Sequence, residues 1–414
     1  MTPFRRFVLA RAIAWIGNAM SIVAMPMLVY QLTGSPLLSG VAFAVEALPY
    51  LLFGLLAGAF ADRVDRKRVL LVTQIASAAA LASVPAAHLF GSVTIAQLLL
   101  VSFSTSTLFV FFDAASFGVV PALVGRDAIA DATGTLVSVG TVIGITGPLL
   151  GGVAATTLGP PGAIAIDALC FLAAAIVTAT ITLPAGAAAS GAATSGAAAS
   201  TLRTSIVEGL DFIWRHRVVR ALTTVGIGVS LANGVVVGLM VVVGVRKLGL
   251  NEGDARLGSL YAATALGAFL ISLVSARIQR AVGTGVITCA GLVLAFSAML
   301  AWSIADVLAV SLLVLVVYQA ANTMIVVNGI VVRQSVTPDG LQSRVNTTAR
   351  MIAMGGTPFG AAAGGAVAEM FGVTAAIVLG ACALAVAGAV ALWLGVPRLP
   401  LLADLTASAE RERQ

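Results

Sequence analysis

The sequence predicts an all-α membrane protein, with twelve transmembrane helices arranged as two pseudo-symmetric six-helix bundles. Three observations carry that reading. Of the 414 residues, 59 % are hydrophobic and 10 % charged, whereas soluble domains run at about 45–50 % and about 25 %; the mean hydropathy is +1.06. Nearly the whole chain divides into apolar runs of the roughly 20 residues that a spanning helix needs, without the alternation of membrane-barrel strands. Finally, Lys and Arg collect in alternate loops, as oriented helices require.

Taken in order, the candidate spans lie near 7–31, 37–60, 69–89, 93–116, 133–158 and 162–183, then 219–244, 256–276, 284–305, 308–332, 346–370 and 373–395. The first run lacks a small-residue cleavage site and continues through Met20–Tyr30, so it reads as a retained helix and not a signal peptide. With the N-terminus inside, the inside set holds Arg5, Arg6, the Arg63–Arg68 cluster, Arg126, Arg203, Arg215, Arg217 and Arg220. It continues with Arg277, Arg280, Arg333, Arg344, Arg398, Arg411 and Arg413, while Arg246, Lys247 and Arg256 fall outside. Both termini therefore read as cytoplasmic in a multi-pass protein of the cell membrane.

Three regions follow: an N-terminal bundle at 1–183, a cytoplasmic connection at 184–217, and a C-terminal bundle with a short tail at 218–414. Ala185–Thr201 carries no charge and no bulky side chain and reads as a flexible linker. In LRTSIVEGLDFIWRHR, Leu202, Ile206, Leu210 and Ile213 recur at helical spacing while Arg203, Asp211 and Arg215 face elsewhere. That pattern predicts an amphipathic helix along the inner leaflet. The halves echo each other: TGPLLGG (Thr146–Gly152) resembles GTPFGAAAGG (Gly356–Gly365), a repeat pattern known in transporters.

Several chemistries lack their residues. Cys170, Cys289 and Cys382 lie singly in apolar runs, and no CxxC or HExxH occurs. The lysines are Lys67 and Lys247, so there is no P-loop. The sequence thus predicts no cofactor, no metal, no enzymatic activity and no nucleic-acid partner; positive-inside topology accounts for the net charge of +6.

Charge is densest in GAFADRVDRKRVLL, where six charges fall within Asp62–Arg68. Gly58, Asp62, Arg63, Arg66 and Lys67 match Gly-x-x-x-Asp-Arg-x-Gly-Arg-Lys/Arg, the loop signature between helices two and three of the major facilitator superfamily, which the chain resembles over essentially its whole length. Asp65 departs from it, standing where the signature has glycine. With PMLVYQLTGSP (Pro26–Pro36), EGLDFIWRH (Glu208–His216) and PDGLQSRV (Pro338–Val345), the chain resembles the branch of drug:proton antiporters containing macrolide-efflux proteins and the enterobactin exporter. The resemblance implies a cytoplasmic latch, with Asp62 against the start of helix eleven and Arg66 paired to Asp113. Physically, the cluster also anchors topology. Gly140, Gly144, Gly147, Pro148, Gly151 and Gly152 partly resemble the antiporter motif of helix five; close helix packing explains the same residues equally well.

Two acids stand out as candidates for proton coupling. Glu46 lies roughly 13 Å into its span at 1.5 Å per residue, where membrane burial penalises a charge. Asp113 follows LFVFF near an inner helix end. Asp167 is expected near the outer end of span six, reaching the interface, and Arg11 and Arg350 near inner ends, where long side chains snorkel. By family geometry, Asn18, Ser102, Thr105, Asn233, Tyr318, Gln319 and Asn322 fall on path-lining helices, with Arg350 a further candidate for an anionic group. Met20, Met240 and Met324 suit either a tolerant pocket or ordinary core.

The resulting expectation is a monomeric secondary active transporter in the lipid bilayer, working by alternating access. Protons would drive efflux of amphipathic small molecules of drug, macrolide or siderophore kind. A lipid or lysolipid flippase and a metabolite importer keep the same fold, and a non-transporting receptor is the remaining alternative.

Overall fold

The computed structural model describes residues 2–61, 64–125, 128–182, 202–338, 341–402 and 404. The expected linker Ala185–Thr201 and the loop residues Asp62 and Arg63 lie outside the described residues. The described residues are almost entirely helical and contain no strand. The helices are α1 (Pro3–Thr33), α2 (Pro36–Ala61), α3 (Arg66–Leu89), α4 (Ile95–Val124), α5 (Ile129–Ala179), α6 (Leu202–Arg215) and α7 (Arg217–Gly238). They continue with α8 (Met240–Arg246), α9 (Arg256–Ala281), α10 (Thr284–Ile304), α11 (Leu308–Val336), α12 (Gln342–Met354), α13 (Gly356–Phe371) and α14 (Val373–Trp393).

Among the described residues, eleven helices are long and apolar enough to cross a membrane. One of them supplies two crossings. The span Asp131–Ala179 has 49 residues, about 74 Å if straight and more than twice the roughly 30 Å hydrocarbon core. Gly159 breaks it with φ 75° and ψ 161°, a conformation open to glycine, and Pro160 and Pro161 start the second limb. The limbs 129–158 and 160–179 match the fifth and sixth predicted spans, which brings the total to twelve.

Local chemistry sets the ends of the helices. Thr2 and Thr94 accept hydrogen bonds from the backbone N–H groups of Arg5 (3.3 Å) and Gln97 (3.2 Å), capping α1 and α4. Asp65, the residue that departs from the loop signature, is the N-cap of α3. Its carboxylate accepts from Lys67 N at 2.9 Å and Arg68 N at 3.4 Å, so the substitution for glycine adds a cap where the helix dipole favours negative charge.

The chain forms two compact units. The first comprises Met1–Ala198 with Gly249–Ala262, the second Ala199–Leu248 with Ala263–Gln414. In the first unit α1 packs most extensively on α5, α3 on both α4 and α5, and α2 on α4. Gly147 and Gly151 allow the α1–α5 approach: a Cβ at Gly147 would meet the Ala19 side chain, and one at Gly151 would lie 2.8 Å from Met20 Cα. In the second unit α7 packs on α13 and α14, and α10 on α11 and α14. Gly356 and Gly360 there meet the backbone of Ile227 and Leu231 in α7. The two glycine stretches that resemble each other in sequence thus do the same work in their own units.

The amphipathic helix forms as α6, with its polar face ordered by an Arg215–Asp211 ion pair at 2.7 Å. Ile213 is buried with Val219, Val336, Val345 and Ala349, so its apolar side packs against protein of the second unit, while Val207 and Trp214 remain exposed.

Candidate functional site

The first unit holds a partly open cavity of about 240 Å³ bounded by α1, α2, α3, α4 and the second limb of α5. Helical spacing assembles its polar lining. Asn18 and Ser21 stand three apart on α1, and Ser102, Thr105, Ser106 and Phe109 fall at i, i+3, i+4 and i+7 on α4. Glu46 enters from α2 and Asp167 from α5, with Phe43, Tyr50, Phe109 and Phe171 among the apolar walls. Ser106 Oγ donates to the Glu46 carbonyl at 2.5 Å, tying α4 to α2 beside the carboxyl. Thr105 donates to the Val101 carbonyl of its own helix at 2.8 Å.

Asp167 corrects the sequence reading. Expected at the membrane interface, it is 1 % exposed and lines the cavity with Glu46. Gly17 on α1 makes the room: a Cβ there would collide with Asp167 Oδ1 and approach Cys170 Cβ to 2.7 Å. The Asp167 carboxyl and the Ser21 hydroxyl, itself 9 % exposed, are buried side by side and serve as each other's polar neighbour.

Asp113 has a partner on α1. The loop resemblance implied Arg66 as its partner; here Arg11 of α1 binds its Oδ1 at 2.6 Å. The Arg11 guanidinium lies 4.7 Å from the Trp15 ring centroid and 5.5 Å from that of Phe112, an aromatic setting that stabilises a desolvated cation. Arg11 does not snorkel; its side chain is 11 % exposed. Asp113 is absent from the cavity that holds Glu46.

Of the loop motif, Gly58 ends up in the last turn of α2 and Arg66 opens α3. Lys67 Nζ donates to the Ala179 carbonyl at 2.8 Å, and Arg6 to the Thr180 carbonyl at 2.8 Å. Both cations therefore cap the C-terminal end of α5, where the dipole is negative. Of the helix-five motif, Gly147 and Gly151 face α1, whereas Gly152 and Pro148 meet Ala255 and Gly258 within the first unit; Gly144 is half-buried on the same helix.

The expected path residues of the second unit separate. Asn322 Nδ2 donates to Asn233 Oδ1 at 3.4 Å, and Tyr318, 1 % exposed, shares their buried face. Gln319 turns to Thr323 of its own helix at 3.4 Å. Arg350 is exposed and reaches Met354 Sδ at 3.5 Å. A hollow of about 470 Å³ opening on the surface of the second unit is lined almost wholly by apolar groups such as Leu231, Val235 and the exposed Val386, with Thr224 and Cys382.

Sequence reasoning passed over Ser21, Ser106 and the aromatic wall. The i, i+3, i+4, i+7 pattern on α4 was the available signal.

Twelve crossings in two units with matching glycine seams give the fold of the major facilitator class. Solved structures share the fold. A bacterial homologue of the human lysosomal transporter Spinster, inward-facing and occupied, superposes with TM-score 0.76 at 14 % identity, covering 94 % of this chain and 96 % of that one. The nucleoside transporter NupG gives TM-score 0.78 at 12 % identity, covering 95 % and 98 %. Residues 1–412 match the family described as transmembrane secretion effectors, and the chain belongs to it. Among its relatives, the multidrug efflux pump Tap of Mycolicibacterium fortuitum is 30 % identical over 232 residues, 54 % of this chain and 55 % of the relative. Macrolide efflux protein A of Streptococcus pyogenes is 26 % identical over 177 residues, 41 % and 44 %. The chain spans about half the length of these relatives. It is a multi-pass membrane protein of a transporter family whose similar members include drug efflux pumps.

Proposed function

We propose that this protein exports amphipathic small molecules by alternating access, driven by protons that enter through Glu46, with both termini in the cytoplasm. The observation that carries the reading is the cavity of the first unit, which brings a carboxyl at membrane depth together with hydroxyl and amide groups and an apolar wall. A proton is the smallest counter-charge for such a carboxyl, since an unpaired ionised acid in the membrane is costly. A carboxyl that takes up a proton on one side and releases it on the other links that uptake to the conformational cycle. Similarity to multidrug and macrolide efflux proteins supports outward transport of apolar compounds. The driving force suffices, because one charge moved through 100 mV is worth about 2.3 kcal/mol.

The test follows accumulation of a panel of lipophilic dyes and macrolides in cells expressing wild type or Glu46→Gln at matched levels, with and without a protonophore. Lower accumulation with wild type, restored by protonophore and lost in Glu46→Gln, is the expected result. Wild-type extrusion that persists in protonophore overturns proton drive and favours lipid flipping. If no compound responds, drug efflux is overturned.

A further inference from the structure

A buried cation in the second unit has no part in the transport cycle proposed above. We infer that Arg333 and Asn346, where α11 meets α12, form a binding site for a phosphate group, whether on a lipid headgroup or free in solution. The inference concerns a different unit from the Glu46 cavity and does not rest on the exporter reading.

Arg333 stands three positions before Val336 on α11, and Asn346 three before Ala349 on α12, so each polar residue shares a helix face with a core residue. Val336 and Ala349 are buried together with Ile213, Val219 and Val345. Arg333 is carried into this apolar setting and is 6 % exposed. Its Nε donates to Asn346 Oδ1 at 3.1 Å. A guanidinium does not lose its charge in a protein, and a cation taken out of water needs a counter-ion or a full set of acceptors. Among the described residues neither is supplied. The ion pairs formed there leave Arg333 out, and its side chain meets the asparagine oxygen alone.

The ligand class follows from the donors left over. Only the amide oxygen can accept from Nε, which fixes the orientation of the Asn346 side chain and leaves its Nδ2 as a donor beside the guanidinium. The groups on offer are therefore the two terminal nitrogens of Arg333 and Nδ2 of Asn346, all donors, a set that suits an anion and repels a cation. The planar fork grips two oxygens of one phosphate, and the amide reaches for a third, which a carboxylate does not have. The apolar surroundings strengthen each such bond. Asn346 is half-buried, so the pair is open on one side. Arg333 lies in the last turn of α11, which ends at Val336, a level at which a bilayer keeps its headgroups and solutes have access.

The test uses the purified full-length protein in phosphate-free dodecyl maltoside. Equilibrium dialysis follows radiolabelled inorganic phosphate against chloride at matched ionic strength, and native mass spectrometry counts the dioleoylphosphatidylglycerol retained on titration. Wild type should bind one equivalent of at least one of the two. Arg333→Gln should weaken that binding about tenfold or more, as loss of a desolvated charge partner does. Arg333→Lys, which keeps the charge without the fork, should fall between. Asn346→Asp is the sharper variant. It keeps an acceptor for Nε, so melting should be held or raised, and it installs an internal counter-ion, so binding should be lost. If Arg333→Gln fails gel filtration, Asn346→Asp and Arg333→Lys decide.

Phosphate bound without lipid identifies a soluble ligand, and lipid bound without phosphate identifies a headgroup; either supports the site. Binding of neither, or binding indifferent to Asn346→Asp, overturns it in favour of a clip between two helices. Binding lost in Arg350→Gln and kept in Arg333→Gln would place the anion on an exposed cation and overturn it too. Asp339, in the connection that follows α11, lies outside the described residues. Binding about tenfold tighter in Asp339→Asn would name that carboxyl as the counter-ion of Arg333 and overturn the inference.

Discussion

The two units use the same helical plan and fill it differently. In the first, the interior carries ionisable groups: Glu46 and Asp167 in one cavity, and the Arg11–Asp113 pair beside Trp15 and Phe112. In the second, the buried charge is a cation, Arg333, which donates from Nε to Asn346 Oδ1 at 3.1 Å, and the other buried polar contacts are neutral. Asn233 meets Asn322, and Asn328 donates to the Thr284 carbonyl and to Thr288 Oγ1 at 3.0 Å. The glycine seams are common to both units, so packing sets the fold twice, while the cavity with two carboxyl groups belongs, among the described residues, to the first unit. The contrast teaches that the helical repeat is a scaffold, and that its chemistry resides in a few substitutions that differ between the units.

The largest effect that would test this contrast lies at Arg11. Arg11→Ala leaves the Asp113 carboxylate without its guanidinium, and breaking a largely buried pair typically costs about 3–5 kcal/mol. Melting of the detergent-purified protein should fall sharply, whereas Arg11→Met combined with Asp113→Leu should recover most of the loss. If the double variant melts as low as the single one, the pair is not the source of that stability.

A smaller effect should appear in both units. Gly151→Ala drives a methyl toward Met20 Cα, and Gly360→Ala drives one into the Leu231 carbonyl. Overpacking of this kind costs about 1–3 kcal/mol, and the backbone collision at Gly360 should be the more severe. Melting curves that rank them in reverse would show that the seam of the second unit can give way. The smallest effect is at the α3 cap: Asp65→Ala should cost about 1 kcal/mol and Asp65→Gly only a few tenths. Denaturant titration of the purified protein separates the two, and equal losses would remove the capping role.

Much of this architecture was legible because hydropathy reports directly on membrane crossing. The turn at Gly159 was readable as Gly-Pro-Pro between two apolar runs, and the paired glycine stretches announced the repeat. Glu46 was visible because an acid deep in a span has to be explained from its own helix alone. Asp167 was not, since its depth depends on Gly17 of another helix, 150 positions away in sequence. The same holds for Asp113. Its need for a cation was evident from its place after LFVFF, but Arg11 and Arg66 both lay at plausible inner ends, and only tertiary packing chose Arg11. Serines such as Ser21 and Ser106 become part of a site only when neighbouring helices are rotated into place.

The α1–α5 seam has a mechanical consequence. Where two backbones touch with almost no side chain between them, there is little compliant material to shear, and sliding by a residue would drive a methyl or larger group into main chain. The pair therefore behaves as one stiff strut running the length of the first unit. Strain imposed on the bundle has to be relieved along its sparser contacts, such as α4 against α1 and α5. The cavity wall that α4 contributes is thus the wall best placed to yield, while the Asp167 wall is braced by the strut.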